Sequence, residues 1–188
     1  ICACLVGSEM CIRDRSYLGY IYPIKTHEYK QLNALILTNS DNIEQIIQVI
    51  KSSPKTHFHI GALTEMSSKL MSLIAYENVT LYPNIDYSTI DDLFTTCAFY
   101  LDINHGSEIM SAVRQAFLNN LLVLSFENTV HNKEFTLPEY IVTIDDTTRL
   151  IRVMQQCISD RQYLLSALQQ QQWHANQSSI NDYQHSID

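Results

Sequence analysis

Residues 34–50 read ALILTNSDNIEQIIQVI. The run ALILT (34–38) is apolar at both parities, as in a strand buried on both faces of a sheet. After the polar step NSD, Ile43, Ile46, Ile47 and Ile50 recur at the spacing of one helix face. Asp41, with Glu44 three residues on, has the pattern of a capping box that would start this helix. Pro54 closes the unit. A doubly buried strand that feeds straight into an amphipathic helix is half of a parallel strand crossover, so this stretch decides the fold class.

The rest of the chain repeats the unit. HFHIGAL (57–63), NVTLYP (78–83), AFYLDI (98–103), LLVLSFE (121–127) and YIVTI (140–144) read as further strands. Between them lie the stripes Met66, Leu70, Leu73, Ile74, then Ile90, Leu93, Phe94, Cys97, then Ile109, Ala112, Val113, Ala116, Phe117. A long helix begins near Thr147, with Leu150, Met154, Cys157, Leu164, Leu165 and Leu168 inward. The alternation predicts an α/β fold: a Rossmann-like, doubly wound, mainly parallel sheet covered on both faces. The expected domain spans residues 16–172, with 173–188 as a polar tail that frays or packs back loosely.

The 188 residues, 46% of them hydrophobic, suit one domain with a sizeable core. The net charge is −8 and Lys and Arg are scattered, so no nucleic-acid footprint is visible. No apolar run approaches the roughly 20 residues that cross a bilayer. Residues 1–15, ICACLVGSEMCIRDR, hold three of the five cysteines and resemble translated sequencing adapter. They are expected to be an unstructured artefact, which would make the remainder the C-terminal piece of a longer protein. A metal or redox motif at Cys2 and Cys4 is the alternative. Cys97 and Cys157 show no ligand or disulfide spacing, which fits a reducing cytoplasm.

In a doubly wound sheet, ligands lie beyond the carboxyl ends of the strands. The segments expected there are TNSD (38–41), LTEMSS (63–68), YPNID (82–86), DINHGSE (102–108) and FENTVHN (126–132). In TNSD, LTEMSS and YPNID and the residues after it, Ser40, Asp41, Thr64 and Ser88 are read first as helix caps. Asn104, His105 and Gly106 sit at a strand-to-helix turn. There His105 would either hydrogen-bond a ligand hydroxyl or act as a base, or else cap the next helix or satisfy a buried carbonyl. Glu108 either complements a helix dipole or binds sugar. Asn128, His131 and Asn132 offer groups that donate and accept at once, which suits carbohydrate hydroxyls; a plain Asx-turn loop is the alternative. Glu65 faces the same cleft or merely solvates a helix start. Arg114 and Ser40 are the candidate anion contacts. His57 and His59 alternate on a strand without further ligands at suitable spacing, so no metal site and no cofactor are expected.

The segments LGYIYP (18–23), ALILTNSDNIEQ (34–45), HFHIGALTEMSSKLMSL (57–73), NVTLYPNI (78–85), DINHGSEI (102–109), AVRQAF (112–117) and LLVLSFENTVHN (121–132) carry a resemblance in order along the chain. They resemble GtfB-type stabilising subunits of bacterial peptide O-GlcNAc transferases, from the accessory Sec system that glycosylates serine-rich adhesins. The resemblance implies the C-terminal domain of a GT-B fold. It also implies a catalytic glycosyltransferase partner, a serine-rich adhesin polypeptide as acceptor, and a cytoplasmic location with peripheral association at the inner membrane face. Retaining GT-B enzymes carry a pair of glutamates on this stretch. The second falls at Gln115 and the first at or near His105, and neither is Glu. The loop TNSDNIEQ supplies Asp41 and Glu44 where a diphosphate would want cations. The expectation is a non-catalytic, acceptor-recognising subunit. The alternative is an active retaining GT-B transferase with an atypical nucleotide-sugar site that uses His105, Glu108 or Arg114.

Overall fold

The computed structural model describes residues 22–25 and 31–185, with side chains as far as residue 177. The adapter-like residues 1–15 lie outside the described residues. Six strands, β1 (Gln31–Leu37), β2 (Phe58–Gly61), β3 (Val79–Tyr82), β4 (Cys97–Asp102), β5 (Leu122–Phe126) and β6 (Ile141–Val142), form one sheet in the order β3-β2-β1-β4-β5-β6. Every pairing is parallel. The order reverses between β1 and β4, and this opens a crevice at their carboxyl ends.

Both faces of the sheet are covered, as the strand at 34–38 requires. Ala34 and Ile36 pack into one core with helix α1 (Ile46–Ser52), the short helix α2 (Ser68–Met71), α5 (Thr147–Ser159) and the first half of α6 (Arg161–His185). Leu35 and Leu37 point the other way, into a second core with α3 (Tyr87–Thr96) and α4 (Ala112–Leu118). Side chains alternate across a strand, so a continuous apolar run is needed to fill two layers at once.

The helix faces differ in detail from the expected stripes. Ile47, Ile74 and Leu165 are exposed, at 49%, 64% and 42%. In α1 the inward face is Ile46, Val49 and Ile50. The anticipated capping box does not form. Residue 44 is drawn toward β4 instead, because Glu44 N–H donates to the Ile103 carbonyl at 2.7 Å and Ile43 bridges Asn104. The helix therefore begins only after Gln45, whose φ of 50° places it in the left-handed region. The observed N-caps are Ser67 for α2 and Asp86 for α3, which accept from Leu70 and Thr89. These replace Thr64 and Ser88. Cys97 caps the end of α3, donating its N–H to the Leu93 carbonyl, and is also the first residue of β4.

The long C-terminal helix breaks at Asp160, and α6 continues through the stretch expected to fray, as far as His185. It crosses from one core to the other: Leu164, Ala167 and Leu168 pack in the first and Ala175 in the second. At the crossing, Gln171 is 1% exposed. Its side-chain amide donates to the Leu121 carbonyl at 2.9 Å and accepts from Val123 N–H at 2.9 Å. β6 pairs with β5 only at Ser125 and Phe126, so this one amide completes the ladder where the neighbouring strand is too short.

Candidate functional site

The carboxyl ends of β1, β4 and β5 bring three loops together. Thr38, fully buried, anchors the first: its hydroxyl donates to the Ser40 carbonyl at 2.7 Å and receives Ser40 N–H at 3.0 Å. Ser40 Oγ in turn accepts from Asn42 N–H, a local turn rather than an anion contact. In the second loop Asn104 is 3% exposed, and its Oδ1 accepts from Gly106 N–H at 2.6 Å. A Cβ on Gly106 would lie 1.7 Å from Asn39 Oδ1. The glycine is there because the first loop presses directly on the second, and Asn39 goes on to donate to Ser107 Oγ at 2.9 Å.

Across the crevice, Glu44 Oε2 meets His105 Nε2 at 2.8 Å and accepts from Asn128 Nδ2 at 2.9 Å. One carboxylate thus ties together the loops after β1, β4 and β5. The Asn128 donor, helped by His105 and only partly opposed by burial, holds the Glu44 carboxyl below its usual value. His105 and Asn128 are themselves exposed, while the groups beneath them are not.

Below this rim lies Asp102 at the end of β4, 2% exposed. Its carboxylate accepts from His131 N–H at 2.7 Å and faces His131 Nδ1 at 2.6 Å, while His131 Nε2 lies 2.7 Å from the Gly106 carbonyl. Burial raises the Asp102 pKa against the pull of its bonds from His131. Burial alone would lower the His131 pKa, but the bonds to Asp102 and to the Gly106 carbonyl, with the charges of Asp102 and Glu108, outweigh it and raise the value.

Five of the candidate residues come together here, in two layers. His105 and Asn128 form the rim. Asn104, Gly106 and His131 are the struts that hold it. Glu108 turns back onto its own helix, where Oε1 accepts from Val113 N–H at 3.0 Å, so the start of α4 is closed by a carboxylate. Asn132 makes an Asx turn to Glu134 N–H at 2.9 Å. Glu65 stands exposed in the loop beyond β2, on the other side of β1 from His105. Arg114 is exposed on α4, whose buried face is Ala112, Val113, Ala116 and Phe117. Three participants were not among the candidate site residues, although their segments were expected at this end of the sheet: Asp102, which read as part of an apolar strand; Asn39; and Glu44, which read as a cap and as an acid unsuited to a diphosphate. His57 and His59 bond Thr80 and Tyr82 across β2 and β3, at 2.7 and 2.8 Å. Burial and the charge of His57 push His59 down to about 4. No group of three metal-ligating side chains occurs among the described residues.

Residues 34–171, which include this crevice and its neutral and acidic rim, match the family model of the GftB/GlyA-F C-terminal domain. The chain belongs to that family. Among relatives of the GftB/GlyA-F domain, the stabilizing protein GtfB of a UDP-N-acetylglucosamine–peptide N-acetylglucosaminyltransferase from Streptococcus gordonii is 40% identical over 171 residues, covering 91% of this chain and 38% of that protein. A solved GtfA/B complex bound to UDP and GlcNAc contains a chain with TM-score 0.78 at 40% identity, covering 90% of this chain and 38% of that one. The glycosyltransferase GlyE of Streptococcus pneumoniae superposes with TM-score 0.61 at 27% identity, covering 74% of this chain and 34% of that one. This chain thus spans about two fifths of the length of the curated GtfB relatives it matches. Its fold is that of a GT-B glycosyltransferase domain.

Proposed function

We propose that this chain is the C-terminal domain of a stabilising and acceptor-recognising subunit of a bacterial protein O-GlcNAc transferase, and that it carries out no transfer itself. The observation that carries this reading is the Glu44–His105–Asn128 rim above a helix start already filled by Glu108. A nucleotide diphosphate needs cations or free N–H donors. Here one carboxylate, Glu44, stands in the crevice and another, Glu108, accepts the Val113 N–H at the start of α4. Amide and imidazole groups, in contrast, both donate to and accept from sugar hydroxyls. The names of the relatives support a catalytic glycosyltransferase as partner. The acceptor in this reading is a serine-rich adhesin polypeptide already carrying GlcNAc, met by His105 and Asn128, with Asn132 and Glu65 further out.

The location in this reading is the cytoplasm, where Cys157 stays a thiol; burial pushes its pKa up to about 12. No helix among the described residues is long and apolar enough to cross a membrane. Peripheral contact with the inner membrane face is carried by the resemblance alone. Calorimetry tests the function. A GlcNAc-bearing serine peptide should bind and UDP-GlcNAc should give no saturable heat. One observation favours a second reading, an active transferase with an atypical donor site: the likeness extends to the glycosyltransferase GlyE, and Arg114 is exposed on α4. Saturable UDP-GlcNAc binding that is weakened in R114A would establish it.

A further inference from the structure

The imidazole of His131 is held between two acceptors. Its Nε2 faces the Gly106 carbonyl at 2.7 Å, and a carbonyl oxygen can only accept, so Nε2 carries a hydrogen. Its Nδ1 faces Asp102 Oδ1 at 2.6 Å. That contact also needs a proton, either on Nδ1 opposite a carboxylate or on Asp102 opposite a bare Nδ1. Both descriptions hold the same number of protons, one more than a neutral imidazole beside an ionised carboxylate. Removing that proton leaves either Nδ1 and Oδ1 facing each other as two lone pairs or, with the remaining hydrogen on Nδ1, a bare Nε2 against the Gly106 carbonyl, and the Gly106 bond is lost. Asp102 has no freedom to move away: it ends β4, its second oxygen is bound by His131 N–H, and its carbonyl accepts the hydroxyls of Ser125 and Thr129, each at 2.8 Å.

We propose that His131 is a positioning residue, a proton-retaining clasp that fixes the 104–108 loop to β4 and β5 and so holds His105 in the rim. The site is ordered while the His131–Asp102 pair keeps its proton and loosens when the pair loses it. The consequence for acceptor binding rests on the function proposed above; the clasp itself does not.

The groups that face the imidazole are Asp102 and Glu108, with the buried phenol of Tyr100 beneath the carboxylates on β4. The two carboxylates favour the extra proton, and the phenol adds no opposing charge. The raised values of His131 and Asp102 agree in sign, and the two groups titrate as one coupled unit. For a group whose folded value is raised, the stabilisation is complete below its unfolded value and disappears as pH rises through the folded one. For the His131 proton the loss therefore falls above pH 6.5, its ordinary value.

The test follows both ring nitrogens of His131 by proton–nitrogen correlation spectra of the full chain from pH 5 to 9, together with hydrogen exchange at the Gly106 amide. A hydrogen on Nε2 at pH 7, with a second proton held between Nδ1 and Asp102 and exchange at Gly106 accelerating beyond its intrinsic rise as that proton is lost, is the expected result. D102N gives a sharper arm. Its amide would donate to a neutral Nδ1 and still accept His131 N–H, while Nε2–H keeps the Gly106 carbonyl. The loop should then stay ordered and lose its pH dependence. A mere loss of packing would not produce that. A His131–Asp102 pair without that second proton at pH 7, with Gly106 protection flat across the range, would overturn the proposal, and this arm decides even if D102N does not fold. Affinity for a GlcNAc-bearing serine peptide should fall about tenfold between pH 6 and 9 in the native chain. Absence of peptide binding at every pH would instead count against the acceptor reading, with the ring spectra still deciding the clasp.

Discussion

Glu44 and His105, 61 residues apart in the chain, meet at 2.8 Å across the point where the strand order reverses. The contact is possible because β1 and β4 are neighbours and their carboxyl-end loops share one crevice. Asn128 completes it from the loop after β5. This carboxylate is held below its usual value of 4.5, first by the Asn128 donor.

A depressed folded value fixes the sign of one prediction. The stability that Glu44 contributes is present above pH 4.5 and is lost as pH falls through the lower folded value. Urea midpoints measured from pH 3 to 6 should therefore decline less steeply in E44Q than in the native chain. The difference at neutral pH should be no more than about 1 kcal/mol, because the pair sits at the surface. Identical acid limbs in the two proteins would show that Glu44 does not tie the loops in solution.

Gly106 offers a steric prediction. In G106A the new methyl would meet Asn39 Oδ1 at 1.7 Å and Asn104 Oδ1 at 2.8 Å. Asn39 is exposed and can swing away, at the expense of its bond to Ser107; Asn104 is buried and cannot. G106A should be destabilised by about 1–3 kcal/mol. Adding N39A should recover part of that loss in equilibrium unfolding. A double variant no more stable than G106A would place the strain elsewhere.

Gln171 makes the third case. Q171L removes the amide that satisfies Leu121 and Val123 and leaves two buried backbone groups unpaired. The cost should be about 2 kcal/mol or more, read as a drop in denaturant midpoint. It should exceed the effect of Q172L, whose amide bonds a side chain, Asn120 Oδ1, instead. Equal effects would mean that the β5 edge is satisfied by other means.

These residues also show what the sequence made legible. The sheet covered on both faces, and with it the two cores, follows from the runs ALILT and LLVLSFE, because only a strand buried on both faces needs apolar residues at both parities. The site's location followed from topology alone. Its wiring did not. Asp41 and Glu44 carry a local capping pattern, yet the Ile43–Asn104 bridge pulls residue 44 to a partner 61 positions away. Tertiary pairing here outweighs a helix cap of about 1 kcal/mol. Asp102 was hidden because one carboxylate at the end of an apolar strand has no pattern of its own. Its importance appears only when His131 folds over it. Gln171 lay within a run of four glutamines at the end of the expected domain, and nothing in that run marks which one is turned inward.

The central claim is that this crevice receives a glycosylated acceptor and has no donor site. It is tested most directly by paired calorimetric titrations of the chain with a GlcNAc-bearing serine peptide and with UDP-GlcNAc, each repeated on H105A/N128A. The account predicts peptide binding that weakens at least tenfold in the double variant, with no saturable heat from UDP-GlcNAc in either protein. Saturable UDP-GlcNAc binding, together with peptide affinity unchanged by H105A/N128A, would contradict it.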